Sequence, residues 1–262
     1  MPMTDAATLP FVAPCRRLEP GAPWRWLASG FTDLRRAPRQ SLSWGAVTAL
    51  LSLLVSALAW RFGSYWLLLT LLSGFVFVAP MLAIAPYSIS AQLARGATPS
   101  LRRCLADQLH LRGTTMVFAL VLLVIFLVWA RAASMISVFF PFEGNPGWRE
   151  LLPYFAIGSA VGSIFALLCF GVSAFSLPFM HERDVDAITA VVSSFNAVLR
   201  NKRPMALWIA IITAAVATGP LTLFLGFIVT MPLIGHATWH AFRDTIDAGA
   251  WPLRSEPAEQ IA

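Results

Sequence analysis

Apolar runs of membrane-crossing length, separated by short arginine-bearing segments, restrict this chain more than any other feature. Backbone polar groups in lipid must be satisfied internally, and a single apolar run achieves this only as a helix. About 20 mostly apolar residues, rising 1.5 Å each, cross the roughly 30 Å hydrocarbon core. Six segments read this way: Ser41 to Trp60, Tyr65 to Ser90, Gly113 to Ala130, Leu152 to Met180, Pro204 to Thr218 and Pro220 to Phe242. The last two share one stretch. Gly219-Pro220 offers it a hairpin turn, because glycine permits left-handed backbone and proline can open the next helix. Only 12% of the residues are charged, against roughly 25% in a soluble domain. The fold class is therefore an all-α membrane protein with six transmembrane helices.

Charge sets the orientation. With six crossings, sixteen Lys and Arg fall on the side of both termini and three, Arg61, Arg131 and Arg149, on the other. The positive-inside rule then places both termini in the cytoplasm, in a bacterial inner membrane. A five-helix arrangement would move only the last two charges. Insertion topology accounts for the net charge of +6, which needs no nucleic-acid partner. Residues 1–23 hold acids, prolines and a cysteine without an apolar core, and read as a disordered cytosolic tail rather than a signal peptide. Residues 24–40 read as an interfacial amphipathic segment, 41–243 as the transmembrane domain and 244–262 as a second cytosolic tail. In the amphipathic segment Trp24 and Trp26 alternate with arginines, as in a helix lying among headgroups. The lipid bilayer is thus the first expected partner. Cys15, Cys104 and Cys169 share no local motif and suggest neither a disulfide framework nor a cysteine metal site.

Three strings, "GFVFVAP", "GVSAFSLP" and "GFIVTMP", end at Pro80, Pro178 and Pro232, each in the second helix of a proposed hairpin. They suggest three related hairpins kinked at those prolines, as in parallel-repeat transporters, although glycine and proline are also simply common in membrane helices. "IGSAVGSIFA" sets Gly158 and Gly162 four apart, a spacing that lets another helix backbone approach closely.

"GHATWHAFRD" carries the sharpest chemistry. His236 and His240 stand one helical turn apart on one face and could share a metal ion. Asp244 is about 12 Å of helix from His236, so further ligands must come from elsewhere, such as His181 or Glu182. The competing reading makes Trp239, His240 and Arg243 an interfacial anchor, with His236 inside the bundle. In "HERDVD" the acids could bind a divalent cation, but Asp184 or Asp186 is a natural N-cap for the helix that follows. No spanning run carries a charge at its centre, which argues against ion-coupled transport. No nucleotide, hydrolase or zinc-protease motif appears, and nothing marks the chain as an enzyme.

Three strings, "DLRRAPRQSLSWG" (33–45), "SAFSLPFMHERDVDAITAVVSSFNAVLRN" (173–201) and "GHATWHAFR" (235–243), together resemble the bacterial membrane family known as domain of unknown function 2189. The resemblance implies an inner-membrane helical protein. It carries no catalytic residues over, and some members are labelled putative cytochrome c oxidase subunits. An oxidase core needs more histidines than the four here, His110, His181, His236 and His240. The expected function is a non-catalytic accessory, scaffold or assembly factor with a membrane-protein partner. The alternatives are a transporter for a neutral or amphipathic solute, and a haem- or metal-handling protein linked to a respiratory oxidase. No cofactor is required by the first two.

Overall fold

The computed structural model describes residues 10–63, 82–140 and 147–254. Among them the chain is all-helical: α1 (Ala22–Arg36), α2 (Pro38–Phe62), α3 (Leu82–Ala94), α4 (Leu101–Phe139), α5 (Trp148–Ser173), α6 (Ser176–Glu182), α7 (Ala187–Arg200), α8 (Lys202–Leu221) and α9 (Phe227–Thr245). Four stretches are long and apolar enough to cross a membrane: Pro38–Phe62, Leu101–Ile136, Leu151–Glu182 and Lys202–Leu221. The expected span from Tyr65 lies outside the described residues up to position 81. Its remainder is α3. The expected last span is α9, where His236, Thr238, His240, Arg243 and Asp244 dilute the apolar run.

Burial divides the molecule into two parts. Only about a tenth of the most apolar window is buried in α2, α4 and the α5–α6 stretch, leaving Leu50, Val124, Leu152 and Leu167 exposed. The core lies at one end, where α1, α6, α7 and the second half of α9 enclose Trp26, Phe175, Phe179, Trp208, Phe242 and Trp251. Trp26 meets Trp208 edge-on at 5.5 Å, and Phe179 stacks on Phe242 at 5.6 Å. The apolar stems are thus built for lipid, and the end cap is built like a water-soluble domain.

Several expectations change. Of the tail expected to be disordered, residues 10–21 are pinned to this cap: Ala13 N–H donates to Ser193 Oγ (2.9 Å), Arg16 N–H to the Thr245 carbonyl (2.8 Å), and Leu18 N–H to Asn201 Oδ1 (2.9 Å). Short polar side chains, Ser193 on α7 and Asn201 at its C-cap, supply partners that composition cannot reveal. Residues 247–254 are likewise held, with Trp251 2% exposed and Arg254 Nε donating to the Met180 carbonyl. α4 begins at Leu101, well before the expected span start at Gly113, because no proline interrupts residues 101–139 and the amphipathic "LRRCLADQLHLR" continues into the apolar run. The α8–α9 turn falls after Gly219-Pro220: α8 continues through Pro220, and Leu223 and Phe224 adopt the positive φ values, 51° and 65°.

The prolines differ as well. Pro80 is outside the described residues. Pro178 sits in α6 just past a break at 174–175, and it has no N–H to offer the Ala174 carbonyl four residues back. Pro232 lies within α9 and leaves the Ile228 carbonyl without its helical donor. Gly45 of α2 packs on that carbonyl so closely that any Cβ would collide with it. Gly30 approaches Ala237 in the same way, and Gly235 approaches Pro86. These three glycines are thus sites of close helix contact around α9. At Gly158 an added Cβ would meet nothing within 4 Å, and at Gly162 only Trp129 Nε1 at 3.8 Å.

Candidate functional site

Glycine-mediated seating of α9 against α1, α2 and α3 carries His236 into the interior, where it is fully buried. Its Nδ1 lies 2.8 Å from Ser90 Oγ and its Nε2 2.9 Å from Ser41 Oγ. Ser90 gives its one hydroxyl proton to Asp33 Oδ2 at 2.8 Å, so it can only accept from His236. With a neutral ring, Nδ1 therefore carries the proton and Ser41 donates to Nε2. One turn on, His240 Nε2 donates to the same Asp33 oxygen at 2.8 Å. The result is a directed chain from Ser41 through His236 and Ser90 to Asp33, closed by His240 from the other side.

Asp33 lies outside the apolar stems and is 6% exposed. Burial pushes its carboxyl up, but hydrogen bonds from His240 and Ser90 and the facing imidazoles outweigh this and hold it below the ordinary value of 3.8. The acid is thus kept as a carboxylate inside the cap, where an unpaired charge would be costly.

A second aspartate–histidine pair lies across α3. Ser88, two residues before Ser90 and so on the opposite side of the helix, donates to Asp107 Oδ2 at 2.5 Å. His181 Nε2 lies 3.5 Å from that oxygen, and its buried Nδ1 has no partner among the described residues. Gln92 ties the set together, donating to Ser88 Oγ and accepting from the Ser100 N–H. A polar recess of about 30 Å³ opens beside these groups, bordered by Arg95, Arg103, His110 and Arg254. That volume admits water but no larger solute.

The histidines singled out by spacing thus divide between two sets. His236 and His240 belong to Asp33, His181 to Asp107, and Glu182 lies 3.9 Å from Arg243. Among the described residues no three His, Cys, Asp or Glu side chains converge as a metal-holding group. Asp244 accepts from Trp26 Nε1 at 2.9 Å. Trp26 and Trp239 are each 2% exposed, so neither ring reaches a headgroup layer: Trp26 packs on Trp208, and Arg243 lies over the Trp239 ring at 4.8 Å. Trp24, 60% exposed, remains free to do so. Asp186 caps α7, accepting from the N–H groups of Ile188 and Thr189 at 2.9 Å each, as its position before that helix suggests. Asp33, Ser41, Ser88, Ser90 and Asp107 went unselected by sequence reasoning. The available signal was an isolated acid on an otherwise basic and apolar helix, twice repeated.

Residues 67–182, less than half of the chain, match the family model described as "Predicted integral membrane protein (DUF2189)", in keeping with the four helices long and apolar enough to cross a membrane. The match takes in "SAFSLPFMHE" from the second resembling string; the strings at 33–45 and 235–243 lie outside it. No curated protein and no solved structure matches.

Proposed function

We propose that this protein is a non-catalytic accessory or scaffold of the bacterial inner membrane, crossing it six times with both termini in the cytoplasm, and that it receives a partner's transmembrane helix on α5. The observation that carries this is the open space at Gly158. That residue lies on the small-residue face of α5, at a cleft of about 300 Å³ between α4 and α5 bordered by Trp129, Tyr154 and Phe155. A small-residue face of this kind serves backbone-to-backbone approach between membrane helices, and among the described residues no atom comes within 4 Å of a Cβ placed at Gly158. The interlocked cap supports the same reading, because Asp33, His236 and His240 hold helices together instead of facing a substrate.

The transporter alternative draws less support from a polar recess sized for water. The metal-handling alternative must contend with serine hydroxyls at both ring nitrogens of His236.

Photo-crosslinking in native membranes tests the proposal. A photoreactive residue at Phe155 should give a discrete protein adduct that disappears with Gly158→Leu, whereas one at the equally exposed Leu120 of α4 should give only lipid adducts. Identical, lipid-only products at both positions would overturn it.

A further inference from the structure

The geometry points to an anionic phospholipid site between α5, α7 and α8, with one acyl chain in an apolar crevice and the phosphate at Lys202. The inference needs α5 and α8 to lie in a bilayer but does not need the partner helix proposed above. The crevice has a volume of about 400 Å³, within the roughly 300–1,000 Å³ of small-molecule sites. Its walls are Ile164 and Leu167 of α5, Leu199 of α7 and Ile209 of α8. Phe195 forms the floor, and its ring fits against α5 only because position 171 is glycine: a Cβ there would stand 2.6 Å from the ring. At Gly45 α2 and α9 close on one another; here α5 and α8 part.

Charge selects the occupant. Lys202 is the one charged residue bordering the crevice, and it stands where the chain leaves the cap: Asn201 is buried and bonded to the Arg16 carbonyl and Leu18 N–H, and Lys202 begins α8. Its stem can lie along apolar wall while the ammonium reaches the headgroup layer. Exposed Arg200 and Arg203 flank it, and among the described residues no carboxylate pairs with any of the three. An apolar slot bordered by Lys202, itself part of a sequence cluster of three cations, matches an acyl chain ending in a phosphate with net negative charge. A zwitterionic lipid would bring its own cation into the same cluster.

The test uses the full chain in phosphatidylcholine nanodiscs containing a trace of either phosphatidylglycerol or phosphatidylcholine with a photoreactive group in one acyl chain. Labelled peptides are identified by mass spectrometry. The phosphatidylglycerol probe should label the crevice walls in preference to the phosphatidylcholine probe. Lys202→Gln, a surface change, should reduce that preference about five-fold, the effect of one basic residue at an anionic interface. Ala206→Trp should abolish crevice labelling by both probes and leave labelling at Leu120 unchanged, with Leu199→Trp as the second blocking variant should the first elute as aggregate. Equal labelling by both probes, unaffected by Lys202→Gln, would identify ordinary boundary lipid and overturn the proposal. Crevice labelling that survives both tryptophan variants would do the same.

Discussion

Asp33 receives Ser90 and His240 on a single carboxylate oxygen, with His236 one hydroxyl further on. Replacing it with asparagine removes a buried charge-assisted acceptor and leaves those donors poorly satisfied. We expect Asp33→Asn to lower the stability of the detergent-solubilised protein by about 1–3 kcal/mol at neutral pH, read as a drop in melting temperature. The pH dependence has a definite sign. Because the folded carboxyl titrates below its ordinary 3.8, its contribution is complete above that value and is lost as pH falls through the lower folded-state value. The gap between wild type and Asp33→Asn should therefore stay constant at higher pH and narrow below 3.8. A gap that instead widened on acidification would mean that Asp33 is held protonated. The i, i+4 spacing of His236 and His240 was legible in the sequence, but their partner was not. Asp33 is about 200 positions away, and only the seating of α9 on α1 brings the two together.

Helix starts were readable where a side chain caps them and obscure where tertiary contacts decide. Asp186 caps α7 through two backbone N–H groups, and an acid immediately before an amphipathic run is a local signal. Asp186→Ala should cost about 1 kcal/mol, while Asp186→Asn should retain most of the capping; thermal unfolding of both variants beside wild type checks this. Equal losses in the two would show that the charge, not the cap, matters. The α8–α9 turn shows the opposite case. Gly219 and Pro220 have the local chemistry of a turn, yet α8 runs through them, with Phe227 of α9 lying against Gly219. Left-handed backbone then falls on Leu223 and Phe224, positions that no propensity rule would select. The small-residue spacing in α5 was equally visible, but spacing alone cannot tell which neighbour, if any, fills the groove.

At the scale of the whole molecule, the polar ties follow a cyclic order. Asp107, at the head of the second proposed hairpin, reaches Ser88 in the first; Ser194, preceding the third, donates to Gly171 in the second; Asp33, preceding the first, meets His240 in the third. The proposed six-crossing topology would give this order if its three hairpins stood about an axis along the membrane normal. Its six crossings are testable: a reporter fused after residue 262 should be active only in the cytoplasm, and activity confined to the periplasm would remove one crossing. Composition and apolar run length determined by themselves that the chain is an all-helical membrane protein, and arginine placement carries the proposed orientation. Those properties are summed over many residues and depend on the solvent more than on contacts. The tertiary structure alone decided that residues 10–21 and 247–254 knit into a cap, that His181, His236 and His240 join aspartate networks, and that α5 and α8 part around a crevice. Each of these turns on a few atoms brought within about 3 Å from distant positions, and local periodicity carries no record of that.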